Sequence, residues 1–154
     1  MMDDLRELYQ TTILDHNKSP RNFRELEDAN RRAEGYNPLC GDKLTVTLLV
    51  DADDRVEDVG FVGSGCAIST ASASIMTEFA KGKSRAEIEE TFERFHELLT
   101  GSPSEPAEAP ELGKLAVFAG VREYPLRVKC ATLAWHALKA ALENREEMTL
   151  VKTE

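Results

Sequence analysis

The chain has 154 residues, of which 42% are apolar, and it carries 19 basic against 28 acidic side chains for a net charge of −9. That length suits one domain with a single modest core. The acidic balance argues against holding nucleic acid or anionic lipid through general electrostatics, and suits either plain solubility or a partner with a basic patch.

The N-terminal Met1-Met2-Asp3-Asp4-Leu5 has neither the basic nor the apolar stretch of a signal peptide. No apolar run approaches the roughly 18 residues that span a bilayer. The expectation is a cytoplasmic protein with reduced thiols. From residue 3 to 16, Leu5, Leu8, Thr12 and Ile13 fall at helical spacing, with Asp3 and Asp4 at the positive end and His16 at the negative end. Lys18-Ser19-Pro20 stops that helix, and residues 19 to 30 are polar and irregular. About Arg31 to Tyr36 reads as a weakly patterned strand. Leu44, Val46, Leu48 and Val50 then alternate with mostly polar neighbours, the mark of a strand with one buried face. Asp51-Ala52-Asp53-Asp54-Arg55 is a turn, and Val56 to Val62 returns as the second arm of a hairpin. The turn lacks the glycine and glutamate that a calcium loop needs.

From Ala67 the period is helical. Ile68, Ala71, Ile75 and Phe79 share a stripe, and Gly82 is the stop. Ser84-Arg85-Ala86-Glu87 fits a capping box, opening a helix that buries Ile88, Phe92, Phe95 and Leu99. Residues 100 to 110 form a proline-rich exposed loop, and Glu111 to Phe118 a short helix. Pro125 starts a last helix to about Asn144, with Leu126, Cys130, Leu133, Ala137 and Ala141 on one face. Strands and helices do not alternate, so the fold class is α+β: a small three-stranded antiparallel sheet packed by several helices. Residues 1–145 are expected to be one domain and 146–154 a charged, flexible tail.

The three cysteines are an odd number, which disfavours a disulfide framework and leaves core filler, metal ligand or nucleophile. Cys40 lies in Asn37-Pro38-Leu39-Cys40-Gly41-Asp42, where Gly41 allows a tight turn that brings the Asp42 carboxylate near the same spot. Cys66 closes Gly63-Ser64-Gly65-Cys66 at a helix N-terminus, which favours its thiolate. Cys130, in the first turns of the last helix, should gain a weaker version of that effect. Three thiolates and a carboxylate make a four-ligand set suited to zinc or an iron–sulfur cluster, and the oxygen ligand makes it easier to open than a structural site. Taken singly, each cysteine is equally compatible with filling the core. His96 and His136 are expected to be structural or solvent-facing, with His136 pointing away from the Cys130 face.

Several segments together carry a resemblance: Leu8-Tyr9-Gln10, Ile13-Leu14-Asp15-His16-Asn17-Lys18-Ser19-Pro20-Arg21-Asn22, the Cys40 and Cys66 segments, and Arg127-Val128-Lys129-Cys130-Ala131-Thr132-Leu133. From about Leu5 to Glu143 the chain resembles the SufU branch of the IscU/NifU-N iron–sulfur assembly proteins. The resemblance implies one metal site of Cys40, Asp42, Cys66 and Cys130, and a pyridoxal-phosphate cysteine desulfurase (SufS-like) as partner. It makes Cys40 the catalytic sulfur acceptor of a zinc-dependent sulfurtransferase, passing sulfur to a downstream scaffold or apo-proteins. Arg127 and Lys129 then either stabilise the anionic site or meet the partner, or are an ordinary solvated helix start.

The alternative is a non-enzymatic scaffold holding iron or a [2Fe–2S] cluster on the same ligands. A purely structural zinc adaptor is a third reading, disfavoured by the Asp42 ligand. IscU-like scaffolds resemble one another in a histidine directly before the third cysteine; here Lys129 stands there, and protonated lysine cannot ligate a metal. The long gap between Cys66 and Cys130 and the missing LPPVK-type stretch, replaced by Glu123-Tyr124-Pro125-Leu126-Arg127-Val128-Lys129, also favour the SufU-like side.

Overall fold

The computed structural model describes residues 11–38, 40–101, 110–143 and 148–150. A first helix, α1, covers 11–18. Three strands follow, β1 (Arg31–Asn37), β2 (Asp42–Val50) and β3 (Val56–Ser64), then helices α2 (Ala67–Ala80) and α3 (Arg85–Thr100). A 3-10 segment (Pro110–Glu123), helix α4 (Pro125–Leu142) and a short strand β4 (Met148–Leu150) complete the order.

The expected antiparallel sheet is present. β2 lies between β1 and β3 and runs antiparallel to both, with Val46 opposite Ala33 on one side and Phe61 on the other. Leu44, Val46, Leu48 and Val50 are all buried, so the period-two pattern read correctly. Burying side chains such as Val46 and Leu48 contributes about 1.5–3 kcal/mol each. The sheet order is β3-β2-β1-β4, and β4 pairs parallel to β1. Residues 148–150 of the expected tail are therefore a fourth strand; residues 151–154 lie outside the described residues.

The helices arise from local signals with some departures. Ser84 caps α3: its hydroxyl accepts from the Glu87 N–H at 3.2 Å, and its own N–H reaches Glu87 Oε1 at 3.3 Å. Ile88, Phe95 and Leu99 are buried as expected, while Phe92 is only half-buried. The expected short helix at Glu111 to Phe118 is instead a longer 3-10 segment with a break at Gly113. Most of the proline-rich loop, residues 102–109, lies outside the described residues.

α4 corrects the single-stripe reading. It packs against β1, β2, α2, α3 and the 3-10 segment. A helix covered on most sides is apolar nearly all round, and Ala131, Ala134, Trp135 and Leu138 are buried alongside Cys130, Leu133, Ala137 and Ala141. Leu126, expected on the buried face, is 60% exposed because it sits in the first turn, before that packing begins. Among the described residues no helix is long and apolar enough to cross a membrane.

His16 is also not where a helix-end charge would sit. It is 1% exposed, with Nδ1 2.7 Å from Ser74 Oγ and Nε2 3.6 Å from Glu78 Oε1. Burial, more than its neighbour Arg21, holds its pKa below the usual histidine value. The side chain thus serves as a neutral pin between α1 and α2 rather than a cation facing a helix dipole.

Candidate metal centre

The four residues singled out in the sequence come from four places in the chain. Cys40 is in the turn between β1 and β2, where Gly41 adopts φ +71° and its N–H bonds the Asn37 carbonyl at 2.9 Å. Asp42 is the first residue of β2 and is fully buried. Cys66 is the N-cap of α2, its Sγ accepting the Ser69 N–H at 3.4 Å. Cys130 is fully buried in α4.

The fold brings three of them into one cluster. The ligand atoms of Cys40, Asp42 and Cys130 lie within 4.8 Å of one another, and the Cys130 and Cys40 sulfurs are 3.2 Å apart. Cys66 is outside that tightest set but joined to it twice. Its backbone N–H donates to Asp42 Oδ1 at 2.8 Å, and its thiol interacts electrostatically with that of Cys130. No disulfide links the cysteines.

Asp42 supplies the clearest test of whether a cation fits. Its Oδ2 is buried and accepts no hydrogen bond among the described residues. An ionised carboxylate oxygen left so is costly unless a charge answers it. Gly65 makes the arrangement sterically possible: a Cβ there would lie 2.6 Å from Asp42 Oδ1. Soft thiol donors beside one orphaned carboxylate oxygen are a donor set that zinc accepts.

The thiols are electrostatically unlike. Cys66 is pulled down to about 6, chiefly by its interaction with Cys130, with help from the Ser69 and Ile68 N–H groups and against burial and the Asp42 charge. The direction agrees with the helix-start argument, but a neighbouring thiol is the larger cause. Cys130 goes the opposite way from the expectation: its interaction with Cys66, burial, and contacts with Cys40 and Asp42 all raise it. A sulfur with no solvent exposure that donates to its neighbours keeps its proton, which outweighs the helix end.

The two basic residues beside Cys130 differ: Arg127 is solvated, as a helix start would be, and Lys129 is not. Arg127 is exposed, and the nearby sulfurs, Cys130 first, raise its pKa. Lys129 is 5% exposed, and its Nζ has no hydrogen-bond partner among the described residues. Asn37 was quoted in the Cys40 segment without a role. It is fully buried and donates to Cys130 Sγ at 3.8 Å, a contact that the packing of α4 on β1 creates and no local pattern signals. His96 and His136 are elsewhere, both edge-to-face with Phe92.

The chain matches the family model described as NifU-like N terminal domain over residues 8–131. It is 41% identical over 143 residues to the iron–sulfur cluster assembly scaffold protein IscU of Streptococcus pyogenes, covering 93% of this chain and 87% of that one. It is 39% identical to the zinc-dependent sulfurtransferase SufU of Bacillus subtilis, covering 93% and 95%. Among solved structures, a putative iron–sulfur cluster assembly scaffold protein for the SUF system from Fervidobacterium islandicum superposes with a TM-score of 0.78 at 37% identity, over 85% of this chain and 93% of that one. The chain belongs to the NifU-like N-terminal domain family, in the group of IscU- and SufU-type proteins.

Proposed function

We propose that this is an iron–sulfur cluster assembly protein that holds zinc on Cys40, Asp42, Cys66 and Cys130 and accepts persulfide sulfur at Cys40 from a SufS-like, pyridoxal-phosphate cysteine desulfurase. The observation that carries the reading is the buried, unanswered Asp42 Oδ2 beside clustered thiols. When bound, zinc would keep its thiol ligands deprotonated and screen their mutual repulsion.

The chain's own residues divide the remaining work. Cys130 is fully buried and Cys66 is tied down at the start of α2, so both suit anchoring. Cys40 is half-buried like Cys66 but lies in a short turn rather than capping a helix, which leaves it the freer thiol to meet an incoming donor. Its thiolate would attack the terminal sulfur of the donor persulfide. The donor's S–S bond breaks, the donor cysteine leaves as thiolate, and a new S–S bond forms at Cys40. Arg127 balances the negative charge of the sulfurs. Unpaired thiols suit the reducing cytoplasm, and a downstream scaffold or apo-protein would take the sulfur on.

A second reading has its own support. The same donors suit a [2Fe–2S] cluster carried as cargo, and the 41%-identical relative is named a scaffold. Lys129 where a histidine would add a ligand favours sulfur transfer. The deciding experiment mixes the purified chain with a cysteine desulfurase and cysteine. Sulfur transfer predicts a persulfide mapped to Cys40 and faster alanine release, both lost in Cys40→Ser. A coloured cluster formed with iron and sulfide, with no acceleration of the desulfurase, would establish the scaffold reading instead.

A further inference from the structure

One cavity is lined by none of the three thiols. It is a groove of about 700 Å³ between α3 and the C-terminal half of α4. Phe92 is the half-buried aromatic at its base, with His136 edge-on at 5.0 Å and His96 edge-on at 6.4 Å. Glu89, Glu93 and Glu97, one helical turn apart along α3, form an acidic wall. Glu89 is engaged by Arg85 at 3.0 Å. Glu93 and Glu97 are exposed and make no ion pair among the described residues.

We propose that this groove docks a basic segment of a partner protein, with an arginine beside Phe92 paired to Glu93 and Glu97. The argument is one of charge complementarity. Carboxylates one helical turn apart beside an aromatic ring suit a guanidinium, whose N–H groups meet the acids while its stem packs on the apolar surface. The net charge of −9 disfavours a nucleic acid or an anionic lipid as occupant, and it sets a second copy of the same chain against like charge. Lys139 on the opposite wall gives the groove polarity, so a carboxylate on the partner would fix the direction of docking. The groove does not include the cysteines, so this inference is independent of the sulfur-transfer reading.

Trp135, the chain's one tryptophan, stacks on Phe92 at 5.7 Å and reports on the groove from inside. The test uses the full chain at physiological salt and a fluorescein-labelled peptide of alternating arginine and leucine. A counterpart with glutamate for arginine is the control. Anisotropy should show binding of the arginine peptide alone, with a shift in Trp135 emission when the unlabelled peptide saturates. Glu93→Lys/Glu97→Lys should weaken binding by at least about tenfold, while Asp53→Lys/Glu57→Lys, an equal charge change on exposed residues elsewhere, should change it by less than about twofold. Equal losses in both variants would mean attraction to general negative charge and overturn the proposal, as would no binding. So would a dimer, seen in sedimentation, that Glu93→Lys/Glu97→Lys dissociates, because the occupant would then be a second copy.

Discussion

The two ends of α4 sit in opposite kinds of interior. At the N-terminal end, buried charged atoms lack protein partners: Asp42 Oδ2 and Lys129 Nζ are both without a hydrogen bond among the described residues. At the other end, Trp135 is enclosed by Phe79, Phe92 and Phe95, with centroids 5.6–6.1 Å apart. Its indole N–H, a neutral donor, is the one buried polar side-chain atom there without a partner among the described residues. The aromatic end supplies stability, and the buried unpartnered atoms at the thiol end cost it. One helix thus links a packed aromatic cluster to the candidate metal site.

That contrast predicts separable mutational effects. The largest effect on stability belongs to the aromatic end. Trp135→Ala should cost about 3–5 kcal/mol, read as a lower urea midpoint. The loss should be similar with and without metal; a much larger loss in the metal-loaded form would mean the two ends are coupled. At the thiol end, Gly65→Ala places a methyl against Asp42 Oδ1. It should weaken zinc affinity by about 10–100-fold, the usual cost of disturbing a group that supports a ligand, and lower the stability of the metal-free protein by about 1–3 kcal/mol, the cost of an overpacked contact. Retained zinc affinity would mean that the carboxylate is not a ligand.

The smallest effect concerns the His16 pin between α1 and α2. Its native pKa is lowered by burial, and by Arg21 and Lys114 against Glu78 and Asp15. Below about pH 6.5 the unfolded chain takes up a proton at this position before the native one does. Stability contributed here is therefore lost as pH falls from about 6.5 toward the depressed native value. His16→Gln should flatten that part of the profile, measured as the difference between variant and parent urea midpoints at several pH values. An unchanged slope would remove His16 as its source.

How much was legible in the sequence depends on how local the cause was. The β2 alternation and the Ser84-Glu87 capping box are set within a few residues, and both formed as read. The gathering of Cys40, Asp42 and Cys130 was readable only by resemblance, since β1–β2 pairing and α4 docking bring them together from distant positions. The protonated state of Cys130 depends on its partners Cys66 and Cys40, so its place in a helix misled. The burial of Lys129 and His16 likewise reflects what packs over them. Strand β4 gave no signal because three residues beside β1 carry too short a pattern.

The central claim is that Asp42 and the three cysteines form one metal centre. Its most direct test is the metal content of the purified chain and of Asp42→Ala, measured by elemental mass spectrometry after removal of loosely bound ions. The proposed function predicts one zinc per parent chain and a large loss of zinc from Asp42→Ala, with the variant still folded by circular dichroism. Full zinc in Asp42→Ala, or a parent chain that takes up none when zinc is supplied, would contradict it.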